Sequence, residues 1–203
     1  MNDITDPAAL REHFGAVSTL AANKALPKLD AHCRGFIALS PFAVLATSDE
    51  QGGMDASPRG DAPGFVAVLD DNTLLLPDRP GNRRVDSFSN ILANPGVALI
   101  FFVPGINETV RVNGRARVIT DADLLRRVGA QGKVPKTGLL ITVQEAYFHC
   151  AKALIRSRLW DPATQVERKT FPTLGQVIAD QVAGIEAAAA DAGIDESYRE
   201  RLY

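Results

Sequence analysis

The spacing of apolar residues predicts helices at both ends of the chain and strands between them. Before residue 41, apolar residues recur at helical spacing behind Asp6 and Pro7, a pair typical of a helix start. From residue 42 onward, short apolar or alternating stretches are separated by turn-forming residues, in the order expected of hairpins. After residue 173 an alanine-rich stretch predicts a helical tail. About six strands are therefore expected between flanking helices.

This order of elements predicts a mainly β fold. A single helix, at about 83–93, is predicted between the fourth and fifth strands, so too few helices are available to cross over between parallel strands. An antiparallel barrel with N- and C-terminal helices accounts for the pattern. We expect one domain, with an N-terminal helical segment at 1–40 packed on the barrel, a barrel core at 41–162 and a C-terminal helical tail at 163–203.

The stretch from 109 to 118 shows the clearest alternation in the chain. Its apolar positions are Val110, Val112, Ala116 and Val118, and the polar positions between them are Arg111, Asn113, Arg115 and Arg117. This period of two predicts a strand with one buried face. Gly114 interrupts the apolar face, which predicts a β-bulge or a close backbone approach at that residue.

Arg83 and Arg84 lie where the predicted helix at 83–93 begins. Cations are unfavourable there, because the first turn of a helix exposes unpaired N–H groups and carries partial positive charge. A bound anion, most simply a phosphate, would turn this repulsion into attraction. The alternative is a basic loop that is solvated and binds nothing.

Composition favours a small anion as the ligand and a cytoplasmic protein outside the membrane. The 203 residues carry a net charge of −2, so no general positive field attracts nucleic acid, and a small anion is favoured over a polymer. Two cysteines far apart in sequence, no secretory signal and no apolar run of membrane-spanning length predict a cytoplasmic protein that does not enter a membrane.

No motif identifies a catalytic residue. The three histidines are scattered and no metal site is expected. Three segments that combine polar residues, glycine or positive charge follow predicted strands, at 57–61, 78–84 and 151–160. Segments that follow strand ends can share one rim of a barrel, where they would suit a ligand with a phosphate and a flat, hydrogen-bonding ring.

Four stretches carry a resemblance to a known family. They are Ser57-Pro58-Arg59-Gly60-Asp61, Pro77-Asp78-Arg79-Pro80-Gly81-Asn82-Arg83-Arg84, Val110-Arg111-Val112-Asn113-Gly114-Arg115 and His149-Cys150-Ala151-Lys152-Ala153-Leu154-Ile155-Arg156-Ser157. Over residues 40 to about 162 the chain resembles the pyridoxamine 5′-phosphate oxidase-like family of FMN-binding split barrels, in particular its branch described as probable FMN-dependent.

The resemblance implies a homodimer with FMN in clefts at the subunit interface. It places the FMN phosphate at Asn82, Arg83 and Arg84, and the ribityl chain near Asp78 and Arg79. It places the isoalloxazine ring along Ser57, Pro58 and Arg59. Positions expected to reach over the partner's flavin are Arg111, Lys152 and Trp160.

The resemblance also implies an FMN-dependent oxidoreductase that acts on a small molecule. The chain departs from the oxidase near its end, where Tyr198-Arg199-Glu200-Arg201-Leu202-Tyr203 replaces the residues that hold the oxidase's substrate. This end offers no convincing substrate site for pyridoxamine phosphate, so the resemblance leaves open whether that compound is used. The alternatives are a non-catalytic flavin carrier or sensor, or a split barrel that uses F420 or haem, with His149 as the plausible haem ligand.

Overall fold

The computed structural model describes residues 3–203, in which seven antiparallel strands form one sheet. The strands are β1 Phe42–Ser48, β2 Met54–Gly60, β3 Ala67–Asp70, β4 Thr73–Pro77, β5 Gly96–Val103, β6 Ile106–Ile119 and β7 Gly138–His149. Their order in the sheet is β2-β1-β5-β6-β7-β4-β3. The predicted mainly β, antiparallel architecture is confirmed, with one strand more than the six expected.

The sheet is strongly curled. β2 and β4 lie five places apart in the strand order, yet residues of β2 and the last residue of β4 line the same cleft. The edge strands β2 and β3 do not pair with each other in the described residues, so the barrel is open on that side. This opening is the feature that positions the candidate site.

Eight α-helices flank the sheet in residues 3–203. They are α1 Pro7–Phe14, α2 Thr19–Asn23, α3 Ala31–Leu39, α4 Asp86–Ala93, α5 Ala122–Arg126, α6 Lys152–Ser157, α7 Leu174–Gln181 and α8 Ala187–Glu200. Of the N-terminal helices, α3 packs on the sheet through Cys33, Phe36 and Ile37, whereas α1 and α2 contain no buried residue. No helix in residues 3–203 combines the length and apolar character needed to cross a membrane.

The main core lies between the sheet and α3. Phe101, Leu45 and Leu99 are among its fully buried side chains. The residues of β5 are apolar almost throughout, yet they alternate between buried and half-buried. Apolar character at every position therefore reflects one fully buried face and one partly covered face.

Gly114 lies at a shift in the pairing of β6 with β7, so the predicted bulge is confirmed. The close approach is present as well. A Cβ at this position would lie 2.3 Å from the carbonyl oxygen of Thr142, on the neighbouring strand. Only glycine leaves room for β7 at this point of the sheet.

Capping explains where α3 begins and gives a test of its packing. Asp30 accepts a hydrogen bond from the backbone N–H of Cys33 at 2.7 Å, and this bond lowers the pKa of the Asp30 carboxyl. We expect Asp30→Ala to reduce the free energy of unfolding by about 1 kcal/mol, because α3 carries part of the core. Urea unfolding measures this loss.

Asp6→Ala is the matched control for that change. Asp6 caps α1 by accepting hydrogen bonds from Ala8 and Ala9, at 2.8 and 2.9 Å, but α1 buries nothing. Loss of this cap should fray α1 and leave the global unfolding transition in place. Equal losses of unfolding free energy in the two variants would contradict the conclusion that α3 belongs to the cooperative core and α1 does not.

Candidate functional site

A cleft of about 1260 Å³ opens beside the edge strand β2. Its walls are β2, the segment that follows β4, the start of α4, the loop at 130–136 and the chain from Ser197 to Tyr203. The cationic side chains in its lining are Arg59, Arg79, Arg83, Arg84, Lys133, Lys136 and Arg201. This concentration of positive charge stands out in a chain whose net charge is −2. The cleft is therefore suited to an anionic ligand.

Strand β2 brings Ser57, Pro58 and Arg59 to the cleft. Its residues alternate between half-buried and exposed, with Ser57 and Arg59 on the half-buried face. Pro58 is tolerated because β2 is an edge strand, where a missing backbone N–H leaves no ladder bond unmade. The Ser57 hydroxyl has no hydrogen-bond partner within residues 3–203, so it is available to a ligand.

Arg59 is a half-buried cation whose hydrogen bonds are incomplete. Its side chain is 19% exposed; one terminal nitrogen donates to Ser87 Oγ at 3.1 Å, and the other lies 3.8 Å from Asp78 Oδ1. Its Nε is buried and has no partner within the described chain. Burial lowers the pKa of Arg59, and the Asp78 carboxylate opposes that shift. An unpaired buried donor of this kind favours a ligand acceptor in the cleft.

Arg79 belongs to the wall of the cleft. Its Nε donates to Asp61 Oδ2 at 2.6 Å, and one terminal nitrogen donates to the carbonyl oxygen of Val128 at 2.9 Å. The Asp61 side chain is only 3% exposed. Hydrogen bonds from Tyr203, from the Ala62 N–H and from Arg79 outweigh burial and lower the pKa of Asp61. The ion pair therefore fixes the segment after β4 against the loop at the end of β2.

The chain from Asn82 to Val85 adopts an unusual backbone. Arg83 has φ of 61° and Val85 has φ of 56°, both in the left-handed region. This region is costly for a β-branched residue such as Val85. Because of these two residues the helix predicted to begin at Arg83 begins instead at Asp86, which corrects that boundary. Both arginines therefore precede α4 and do not lie within its first turn.

The start of α4 lacks a side-chain cap. Val85 occupies the N-cap position and offers no oxygen to the free N–H groups of the first turn. The buried residues of α4 are Ser87, Asn90 and Ile91; Phe88 is partly buried against the core, whereas Val85 and Leu92 are exposed. Polar side chains lie inward because Asn90 donates to Thr47 and Asp55 and Ser87 accepts from Arg59.

The two arginines differ in how they are engaged. Arg84 donates from Nε to Asp86 Oδ2 at 2.8 Å, and this contact raises the pKa of Arg84. Its backbone N–H donates to Asn82 Oδ1 at 3.0 Å, which helps to fix the turn. The Arg83 guanidinium has no ion-pair or hydrogen-bond partner within residues 3–203, so it is the cation most available to a ligand.

The structure separates the predicted site residues into two groups. Eight line the cleft: Ser57, Pro58, Arg59, Asp78, Arg79, Asn82, Arg83 and Arg84. Three do not, although the sequence suggested one shared rim: Arg111, Lys152 and Trp160. Two of the three polar segments that follow strands are thus brought together, and the segment at 151–160 lies outside the cleft.

The three residues outside the cleft have contacts of their own. Arg111 lies over the Tyr147 ring, at 4.4 Å from its centroid, and donates to Glu145 Oε1 at 3.3 Å. Trp160 Nε1 donates to the backbone oxygen of Ile106 at 2.9 Å. Lys152 is exposed at the start of α6. These residues belong to a second surface, around the β6–β7 pair and α6.

Two parts of the cleft were not predicted from the sequence. Lys133 and Lys136 come from an irregular loop, and Tyr198, Arg201 and Tyr203 come from the end of the chain. The exposed charges of the loop carry no pattern that marks them as a site. Tyr203 contacts Asp61 across 142 residues of sequence, a proximity that follows only from the packing of α8.

Histidine and metal chemistry are not built into this cleft. No histidine, cysteine or methionine lines it in the described chain, so its donors do not fit haem iron through those ligands. His149, the haem ligand considered from the sequence, lies at the end of β7 beside Tyr147, at 4.9 Å between ring centroids. Its pKa is lowered by burial and by Arg111 and Lys24. Residues 3–203 contain no cluster of three or more potential metal ligands.

An open, curled antiparallel sheet with a cationic cleft at its edge is the arrangement of a split barrel. The family described as pyridoxamine 5′-phosphate oxidase matches residues 29–150. The chain belongs to this family, which confirms the family and the split-barrel fold expected from the sequence. No curated protein matches the chain significantly.

Several solved structures are similar to this chain. HupZ from Group A Streptococcus is 21% identical over 58% of this chain and 91% of its own, with a TM-score of 0.48. General Stress Protein 26 from Bacillus anthracis is 16% identical over 56% and 88%, with a TM-score of 0.43. An FMN-binding protein from Syntrophomonas wolfei is 12% identical over 58% and 83%, with a TM-score of 0.46.

Proposed function

We propose that this protein binds FMN in the cleft and acts as an oxidoreductase on a small molecule. The observation that carries the proposal is the turn from Asn82 to Val85. It holds two residues in the left-handed region, presents two arginines and leads into a helix without a side-chain cap. Strain and unpaired donors at one place are typical of a ligand-binding segment.

The turn from Asn82 to Val85 would bind a phosphate. The backbone N–H groups at the start of α4 and the free guanidinium of Arg83 would donate to its oxygens, and the helix end favours its negative charge. Asn82 holds the turn through the N–H of Arg84, which keeps both arginines at the mouth of the helix. A phosphate here would replace repulsion between the cations and the helix by attraction.

The half-buried face of β2 would bind a flat, polar ring. Ser57 offers a hydroxyl without a partner, and Arg59 offers a buried Nε that needs an acceptor. When bound, FMN supplies the redox chemistry, and the protein orients the ring and adjusts its electrostatic surroundings. The positive charge of Arg59 would favour negative charge on the neighbouring part of the ring.

A homodimer with FMN at the interface is part of the proposal. Arg111, Lys152 and Trp160 do not line the cleft of their own chain, so they could contact the flavin only from a second copy. Large exposed apolar side chains are present on the elements around the cleft: Phe42 on β1, Met54 on β2 and Leu92 on α4. A cytoplasmic location is also proposed; both cysteines are free thiols, as is usual in that compartment.

Titration with FMN and riboflavin tests the binding. Riboflavin has the same ring without the phosphate, so we expect FMN to bind at least about tenfold more tightly, because one charge-assisted hydrogen bond contributes about 1.5–3 kcal/mol. Flavin fluorescence measures both affinities. Equal affinities would contradict the phosphate site, and no uptake of either compound would contradict a flavin protein. F420 as a competitor tests the deazaflavin alternative.

Reduction of the bound flavin separates an enzyme from a carrier. We expect NADH or NADPH, or a small-molecule donor from a substrate screen, to bleach the flavin absorbance under anaerobic conditions, and an oxidant to restore it. A bound flavin that no donor reduces would favour the carrier or sensor.

A further inference from the structure

The chain from Ser197 to Tyr203 forms one wall of the cleft. It comprises the last turn of α8, which ends at Glu200, and the three residues after it. Residues 198–202 are exposed, and Tyr198 and Leu202 are each 60% exposed. This segment therefore has little packing of its own to hold it in place.

Tyr203 connects the segment to the loop after β2 and to the loop at 130–136. Its hydroxyl donates to Asp61 Oδ1 at 2.6 Å, and its backbone oxygen accepts from Lys133 Nζ at 2.6 Å. The Arg79 guanidinium lies over its ring, at 5.8 Å from the centroid. Asp61 and Arg79 belong to the two loops that carry the proposed flavin contacts, so Tyr203 joins the segment directly to the site.

The contact between Tyr203 and Asp61 can break without leaving Asp61 unpaired. If Tyr203 leaves, Asp61 keeps the hydrogen bonds from Arg79 and from the backbone N–H of Ala62. No buried carboxylate is then left without a partner, and Lys133 is already exposed. Opening thus breaks two charge-assisted hydrogen bonds, from the Tyr203 hydroxyl to Asp61 and from Lys133 Nζ to the Tyr203 backbone oxygen, together with the contact between the Arg79 guanidinium and the Tyr203 ring.

We propose that residues 197–203 form a lid over the cleft and that Tyr203 is its latch. In the closed state, the latch narrows the entrance between Asp61 and the loop at 130–136. A ligand enters when the hydroxyl of Tyr203 releases Asp61, and the lid then closes over it. The identity of the ligand as FMN rests on the proposed function above; the lid itself does not.

Tyr203→Phe removes the latching hydroxyl and keeps the ring. A hydrogen bond to a charged acceptor contributes about 1.5–3 kcal/mol, or about ten- to a hundredfold in the open population. We therefore expect FMN to associate at least about tenfold faster with this variant in stopped-flow fluorescence. Tyr147→Phe is the matched control, because Tyr147 lies on β7 outside the cleft and its hydroxyl has no hydrogen bond in the described chain. Its association rate should equal that of the unmodified protein.

Hydrogen–deuterium exchange of the ligand-free protein tests the lid without FMN. The amides of residues 198–203 should exchange about tenfold faster in Tyr203→Phe than in Tyr147→Phe, whereas those of β5 should not change. Equal exchange in the two variants would overturn the lid. Faster exchange together with an unchanged FMN association rate would overturn its role as a gate. If FMN binds to no variant, the proposed function fails, and exchange alone decides whether the lid exists.

Discussion

Replacing both Arg83 and Arg84 by alanine is expected to weaken FMN binding by about a hundredfold or more. Each guanidinium can donate charge-assisted hydrogen bonds to the phosphate, and each such bond contributes about 1.5–3 kcal/mol. Two of them together account for about 3 kcal/mol at the least, which corresponds to a hundredfold change in affinity. Fluorescence titration of the purified variant measures the loss.

The two arginines should contribute unequally. Arg83 has no partner within residues 3–203, whereas Arg84 already donates to Asp86 and would have to share its nitrogens with the phosphate. Arg83→Ala alone should therefore account for most of the loss. The fold should be retained in both single variants, because Arg83 is exposed and the side chain of Arg84 is 72% exposed.

The matched control is the double variant Arg115→Ala with Arg117→Ala. Both residues are exposed on β6 and neither lines the cleft, so the same charge is removed elsewhere. FMN affinity should change little in this control, by less than about threefold at moderate ionic strength, since distant charges are screened. Riboflavin should bind equally well to all forms. An equal loss of FMN affinity in the two double variants would show that only the net charge matters.

Gly114→Ala is expected to reduce the free energy of unfolding by about 3 kcal/mol. The added Cβ would lie 2.3 Å from the carbonyl oxygen of Thr142 and 3.1 Å from its carbonyl carbon. Backbone atoms of a paired strand cannot move aside as a flexible side chain can, so β6 and β7 would have to separate locally. Overpacking of this kind costs about 1–3 kcal/mol and occasionally more. Urea unfolding gives the loss of stability.

Gly35→Ala is the same chemical change, but it is expected to raise the free energy of unfolding. Gly35 lies within α3, and a Cβ there would meet no heavy atom within 4 Å. Alanine is favoured over glycine inside a helix by about 0.8–1.0 kcal/mol, so this variant should be more stable than the unmodified protein. Unchanged stability of Gly114→Ala would show that the β6–β7 pair yields without cost, contrary to its observed geometry.

The alternation of β6 explains why its prediction from sequence succeeded. Each apolar residue there meets the same core face, so the period of two was sufficient to predict the strand and its buried side. Gly114 could be recognised because it interrupts that period. The start of α4 could not be predicted in the same way. Helical periodicity does not reveal left-handed residues at Arg83 and Val85, since side chains of these types rarely adopt that conformation.

The sequence by itself determined the strands, the flanking helices, the family and the local cluster of arginines. These features depend on residues that are close together in the chain. Apolar periodicity predicts the strands and helices, turn residues separate them, and the arginines lie next to the start of a helix. Tertiary structure alone decided which charges share a cleft. Arg79 pairs with Asp61, and Tyr203 reaches Asp61 from 142 residues away. Those contacts depend on how the curled sheet and α8 pack, and no local pattern encodes a distance between segments so far apart in the chain.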